Sequence, residues 1–396
     1  MTERKALRAA KKQKCKKRPL RRERKRRGRR KQGRRAAALK KTEGGVVIGG
    51  YYGFGNLGDE TILRGICASL KEVMDGEKIC VLSATPKETA SQYGVCSVSR
   101  TNIAAIIEKM SRSSLYISGG GGLLQDDTSR RSLLYYSTMM LLGKKLCGHL
   151  YVYANGVGNV KRSGHMRRAL IEADRISVRD EPSAARLEKL GIGSHVAADP
   201  AWRFASLGTR REKYGYFAVC LRGGGNINEE TLENFCAEYS RRGLYPLFVS
   251  MHDGADLGIC SDAAKRCGGR CISPVSFEGL MYILSGAEFA IGMRLHFLIA
   301  AAACGVPFVG LGADCKLFDF VSLWGRGEIL SESCGADRLS SAVLKAAADA
   351  ESAAASAEIK SKMLASLAEK EDEILKKMCL SLCCGGSSAV NPIKEV

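Results

Sequence analysis

Three apolar runs in the first half of this chain have strand length and end in glycine: Gly45–Gly50 (GVVIGG), Leu115–Gly122 (LYISGGGG) and Tyr151–Gly158 (YVYANGVG). A run without polar alternation is a strand buried on both faces, as in a parallel sheet covered by helices. Parallel neighbours need crossover segments. Helical patterns stand between the runs, at Thr61–Val73, with Ile62, Ile66 and Leu70 on one face, and at Arg130–Leu146. Lys78–Ala84 and Ile176–Asp180 read as further strands and Pro182–Leu190 as a helix. The series restarts at Tyr216–Arg222, with strands at Pro246–Met251, Cys271–Val275, Phe289–Ile291 and Pro307–Gly310 and helices at Glu229–Arg241 and Phe277–Leu284. Two similar halves of this kind predict an α/β fold of two Rossmann-like, doubly wound domains facing across a cleft. The divisions read as a tail over 1–44, a first domain over 45–206, a polar linker at Leu207–Lys213, a second domain over 214–378 and a loose end over 379–396.

The net charge of +21 suggests a nucleic-acid binder until it is located. Residues 1–41 hold 22 Lys and Arg against Glu3 and Glu23, which leaves 40 basic and 39 acidic side chains in the rest of the chain. The body is neutral, and nucleic acid is not expected as its partner. The tail is too poor in apolar residues to fold alone. It reads as a solvated arm, as a polybasic contact for anionic lipid or nucleic acid, or as sequence upstream of a later start. Its deletion is expected to leave catalysis unchanged. No apolar run is long enough to span a membrane, and no signal-peptide core precedes the first strand. The 16 cysteines are scattered singly, a pattern of buried thiols in a reducing cytosol. Cys267-x3-Cys271 and Cys379-x3-Cys383-Cys384 lack a histidine at zinc-finger distance, and no metal site is assigned.

Ligands of open α/β sheets bind beyond the carboxyl ends of the strands. The residues that fall there carry charge. Ile291–Lys316 (IGMRLHFLIAAAACGVPFVGLGADCK) puts Arg294 and His296 after one strand and Lys316 in the loop after the next. Two fixed cations beside an imidazole suit a small multi-anionic ligand, such as a phosphate ester with a carboxylate. Asn56 and Asp59 sit on the first glycine turn and suit a ligand hydroxyl, although Asp59 competes for the role of helix N-cap. Arg179 follows a strand and is as consistent with pairing Asp180 as with an anion. Arg222 ends the first strand of the second half.

With these motifs in view, the chain resembles the polysaccharide pyruvyl transferase family, most closely its CsaB-type members. The matching stretches are GYYGFGNLGDETIL (Gly50–Leu63), SGGGGLLQDDTSRRSLLYY (Ser118–Tyr136), YANGVGNV (Tyr153–Val160), SVRDEPS (Ser177–Ser183), ADPAW (Ala198–Trp202), GMRLHFLIAAAACGVPFVGLGADCK (Gly292–Lys316) and the FDFVSLWG after it. Asn155 and Asn159 stand where the family pattern has Gln and Pro, and Cys315 where it has Pro. The resemblance implies a GT-B-type architecture. It implies transfer of pyruvate from phosphoenolpyruvate to a sugar as a cyclic ketal, with N-acetylmannosamine of a cell-wall polymer, or its lipid-linked precursor, as acceptor. It implies work in envelope assembly and S-layer anchoring, in the cytoplasm or at the inner face of the membrane. On that chemistry Arg179, Arg222, Arg294 and Lys316 are candidate cations and His296 the candidate proton donor, since imidazole titrates near neutrality. Asn56 and Asp59 would orient or activate the sugar hydroxyl, with Asp126 as the rival base. No metal, nucleotide or other cofactor is required. The competing reading is a GT-B glycosyltransferase with a nucleotide-sugar donor, in which an acid such as Glu278 would hold the ribose.

Overall fold

The computed structural model describes residues 44–127, 129–205, 212–348 and 350–383. The basic tail, residues 207–211 of the expected linker and residues 384–396 lie outside the described residues. The first half forms one parallel sheet from β1 (Gly45–Gly49), β2 (Ile79–Ser83), β3 (Cys96–Ser99), β4 (Ser113–Ser118), β5 (Gly121–Leu124), β6 (His149–Val157), β7 (Arg175–Val178) and β8 (His195–Val196). Its order is β3-β2-β1-β4-β6-β7-β8, with β5 also paired to β6. Val46, Val47 and Ile48 of β1 are fully buried, as their unbroken apolar run requires. The second sheet holds β9 (Tyr216–Cys220), β10 (Tyr245–Val249), β11 (Arg270–Ile272), β12 (Ala290–Gly292), β13 (Phe308–Leu311) and β14 (Glu328–Leu330), in the order β11-β10-β9-β12-β13-β14. Both orders reverse direction beside their first strand, the doubly wound pattern, and the architecture is GT-B-type.

That reversal fixes where a site can form. In the first half the crevice lies beyond β1 and β4, and in the second beyond β9 and β12. The two edges meet. Asn56, after β1, forms an isolated antiparallel bridge with His252, and the N–H of Leu57 donates to the carbonyl of Met251 at 2.9 Å.

Several features differ from the sequence reading. The expected strand Leu115–Gly122 is two strands, β4 and β5, because Gly119 and Gly120 turn the chain and Gly121 takes a positive φ of 106°. Helix Asp253–Arg266 was not expected, since DGADLGICSDAAKR carries two glycines and little apolar periodicity. Lys316 is in a helix, Cys315–Trp324, instead of a loop; Asp314 starts it by accepting from the N–H of Lys316 at 3.3 Å. The end over 379–396 is not loose at its start. Helix Ala350–Cys383 continues through it, and Leu375, Met378 and Cys379 are buried in the core of the first half. Asp372 of this helix pairs with Arg203 and receives the Tyr153 hydroxyl, while Glu371 takes Arg175 at 3.0 Å. In exchange, Trp202 of the first half packs in the core of the second and stacks on Trp324, 5.6 Å between ring centroids and 14° between planes. The two halves are therefore tied together through helix Trp202–Ala205 and the C-terminal helix as well as where their edges meet. Among the described residues no helix is long and apolar enough to cross a membrane.

Candidate active site

Helix Leu57–Lys71 starts where the two edges meet. Its N-cap is Asn56, whose side-chain oxygen accepts from the N–H of Gly58 at 3.1 Å. The cap role expected of Asp59 thus belongs to Asn56, and this spends one of the Asn56 acceptor positions on the helix. Asp59 is free of that task and points into the crevice. It is only 8% exposed. Gly121 passes so close that a Cβ there would lie 2.6 Å from Asp59 Oδ1. Burial pushes the Asp59 carboxyl up from its ordinary value to about 6, against the pull of nearby His296 and Lys316.

His296 sits in the first turn of helix Leu295–Ala303, on the facing edge. Its ring lies on the backbone of Gly58, where a Cβ would come within 1.9 Å of Nδ1. Its Nε2 is 3.4 Å from Oδ1 of Asp199, within ion-pair range, and is buried with no hydrogen bond among the described residues. Asp199 is itself buried, takes the N–H of Ala201 at 3.1 Å and faces Arg179 Nη1 at 3.4 Å. Burial would raise its pKa, but His296, Arg179 and the Ala201 N–H outweigh it and hold the carboxyl at about 2. Asp199 is ionised at any working pH.

All four expected cations stand on this crevice or its rim, and each already faces a carboxylate. Arg294 makes a two-pronged pair with Asp256, at 2.9 and 2.5 Å, and the N–H of Gly223 also donates to Asp256 at 3.0 Å. Lys316 lies 2.8 Å and Arg222 3.5 Å from the same oxygen of Asp314. Two cations on one carboxylate leave a surplus positive charge at that corner. Arg179 contacts both Asp180 and Asp199, so the structural pair anticipated for it is present and doubled. Asp59 responds electrostatically to Lys316, and Arg294 responds to Asp59, which links the two edges.

Asp126 does not join them. Its carboxylate accepts from the backbone N–H groups of Lys161 (3.0 Å) and Arg162 (3.1 Å) and is occupied in holding that loop. This argues against Asp126 as the rival base. Glu278 receives Arg64 of the first half at 2.9 Å, a pair between the halves. Beside Asp199 a cavity of about 270 Å3 opens, with Arg179 and Lys316 on its polar side and Trp202, Phe320, Trp324 and Leu364 among its apolar walls.

The profile of the polysaccharide pyruvyl transferase family matches residues 56–314, which contain Asp59, Arg179, Asp199, Arg294 and His296. The chain belongs to that family. For the polysaccharide pyruvyl transferase fold, solved structures give a second comparison. HepE of Anabaena bound to UDP-glucose aligns with 85% of this chain and 99% of its own at 10% identity and a TM-score of 0.56. MnaA of S. aureus with UDP aligns with 84% of this chain and 94% of its own at 11% identity and 0.56. The UDP-GlcNAc 2-epimerase of Neisseria meningitidis bound to UDP-GlcNAc aligns with 85% and 100% at 10% identity and 0.56. At such identities the likeness is one of fold. The chain has no significant match among curated proteins.

Three site carboxylates escaped the sequence reading. Asp199 lies in ADPAW, which scans as an Asp-Pro turn. Asp256 lies in the unexpected helix. Asp314 reads as a loop residue next to the lysine that it pairs with. The one usable signal was the proximity of Asp314 and Lys316 in sequence.

Proposed function

We propose that this pyruvyl transferase takes phosphoenolpyruvate as donor and builds a cyclic ketal on two hydroxyls of a sugar, releasing phosphate. The acceptor in this reading is an N-acetylmannosamine unit of a cell-wall polymer or of its lipid-linked precursor. The work then takes place in the cytoplasm, against the inner face of the membrane where the acceptor is lipid-borne, and supports envelope assembly and S-layer anchoring. The observation that carries the reading is the pairing, across one crevice, of a buried acid with a pKa of about 6 and an imidazole set on an ionised aspartate. The reaction needs one group of each kind.

His296 gives its proton to the methylene carbon of the donor, and the central carbon becomes electrophilic. Asp199 stabilises the protonated imidazole before that step. Asp59 takes the proton of the attacking hydroxyl as the new C–O bond forms. Phosphate then leaves with the electrons of its C–O bond, and the second hydroxyl adds to the same carbon with loss of its proton. Lys316 and Arg222 receive the phosphate, Arg294 the carboxylate, and Arg179 keeps Asp199 in place. Asn56 fixes the turn that carries Asp59 and offers its remaining polar edge to the acceptor. Pre-paired cations need no reorganisation on binding, at the cost of weaker attraction.

Equilibrium binding of phosphoenolpyruvate to three forms of the protein tests these roles. Lys316→Ala is expected to weaken binding at least tenfold. His296→Ala is expected to bind the donor and release no phosphate from it. A wild-type chain that does not bind phosphoenolpyruvate ends the reading.

A further inference from the structure

A second open groove, of about 650 Å3, lies along the carboxyl edge of the first sheet and is lined by Arg130, Arg131, Arg162 and His165. Arg130 and Arg131 occupy the first turn of the 18-residue helix Arg130–Cys147, which has no acidic residue there. A helix N-terminus carries partial positive charge, and acids are favoured at it. Two arginines in that place oppose the helix field. The neighbouring helix Gly164–Ile171 also starts without an acid and contributes His165 to the same groove. Arg162 approaches from the loop between them. All three arginines are exposed, and among the described residues none has a carboxylate partner. The one acid lining the groove is Asp126, already engaged by the N–H groups of Lys161 and Arg162. The body outside the tail is close to neutral. Three unpaired guanidiniums in one groove are therefore a local concentration of charge. Such a conflict between local preference and placement marks a functional feature.

We propose that this groove binds two adjacent phosphate groups, a diphosphate. Guanidinium forks match phosphate oxygens two at a time, and a groove of about 650 Å3 with three forks along it has room for two phosphate groups side by side. The groove adjoins the crevice. Gln125, next to Asp126, packs against Gly158, and Cys315, next to Lys316, reaches the same glycine from the other half. The N–H of Asn159, on the loop that carries Arg162, is also directed to the Cys315 thiol. The proposal seats the sugar in the crevice and the diphosphate on its anomeric carbon in this groove. As an acceptor subsite the groove rests on the pyruvyl-transfer reading; as a diphosphate site it does not.

Inorganic pyrophosphate binding is measured by calorimetry on the full chain. The forms compared are wild type, Arg130→Gln/Arg131→Gln/Arg162→Gln and, as a charge control, Lys87→Gln/Lys145→Gln/Lys189→Gln, exposed lysines that line no part of the groove. The arginine variant is expected to bind at least tenfold more weakly than the lysine control. Equal affinity in the two overturns the proposal. Kinetics with the acceptor sugar, bare or diphosphate-linked, then assign the source. A KM that rises at least tenfold more for the linked acceptor makes the anion part of the acceptor. Equal changes for both acceptors, with pyrophosphate affinity lost, make it a free ligand of the same groove. A wild-type protein inert toward phosphoenolpyruvate, whose arginine variant still loses pyrophosphate, fails the proposed function and leaves the groove standing.

Discussion

Asp59→Asn should make the protein more stable at neutral pH and nearly inactive. In the fold, burial favours the neutral acid and holds its pKa at about 6, against 3.8 in the unfolded chain. The folded state thus binds the proton more tightly, and stability falls as pH rises from about 4 to about 6. At about 1.4 kcal/mol per pH unit, that loss is about 3 kcal/mol at pH 7. A carboxylate in the first turn of helix Leu57–Lys71 also interacts favourably with the helix field, which offsets up to about 1 kcal/mol. The neutral amide, similar in shape, avoids the cost of burying a charge and forgoes the helix interaction, so the net gain is about 2 kcal/mol. Urea unfolding at pH 7.5 and pH 4.5, read by far-ultraviolet circular dichroism, tests this. The variant should exceed wild type at the higher pH, and the difference should shrink by more than half at the lower. Phosphate release from phosphoenolpyruvate should fall at least a hundredfold. A variant less stable than wild type at pH 7.5, or one with a pH-independent difference, would refute the claim that Asp59 is held ionised at a cost.

Three further outcomes follow from the same geometry. Asp199→Asn should act in the opposite sense: its folded pKa is depressed from 3.8 to about 2, so it contributes about 2 kcal/mol above pH 4, lost as pH falls toward 2. Urea midpoints at pH 7 should drop and turnover should fall with them; an unchanged midpoint would remove Asp199 from the support of His296 and Arg179. Gly58→Ala inserts a methyl where His296 Nδ1 stands, so turnover should fall at least tenfold although alanine suits a helix better than glycine. Wild-type kinetics in that variant would mean that the imidazole position is not critical. Arg294→Ala leaves Asp256 buried without its main partner and should destabilise by about 3 kcal/mol, seen as a lower urea midpoint, as well as raise the KM for phosphoenolpyruvate.

The fold, and the placement of the cations that gather at the candidate site, were legible because both are written in local patterns. Unbroken apolar runs ending in glycine identify parallel strands, and Arg294, His296 and Lys316 fall after such runs. What the chain does not announce is pairing over distance. Asp256 meets Arg294 only because helix Asp253–Arg266 returns to the β9–β12 crevice, and that helix has too weak a periodicity to be seen. Asp199 reaches His296 only once the halves are docked. Side-chain direction is equally hidden. Asp59 and Asp126 both follow glycine-rich strand ends, yet one faces the crevice and the other the neighbouring loop at Lys161 and Arg162. The C-terminal helix misled for a third reason. Its alanine-rich sequence shows a helix but not that its last turns cross back to bury Cys379 in the first half.

The most direct test of the central claim is to incubate the purified protein with phosphoenolpyruvate and a synthetic β-N-acetylmannosaminide, following phosphate and acceptor mass in the same tube. The account predicts phosphate released in equal amount to acceptor that has gained one ketal-linked pyruvyl group, and neither signal in His296→Ala. Consumption of a nucleotide sugar on that acceptor, with phosphoenolpyruvate untouched, would contradict it and make the chain a glycosyltransferase.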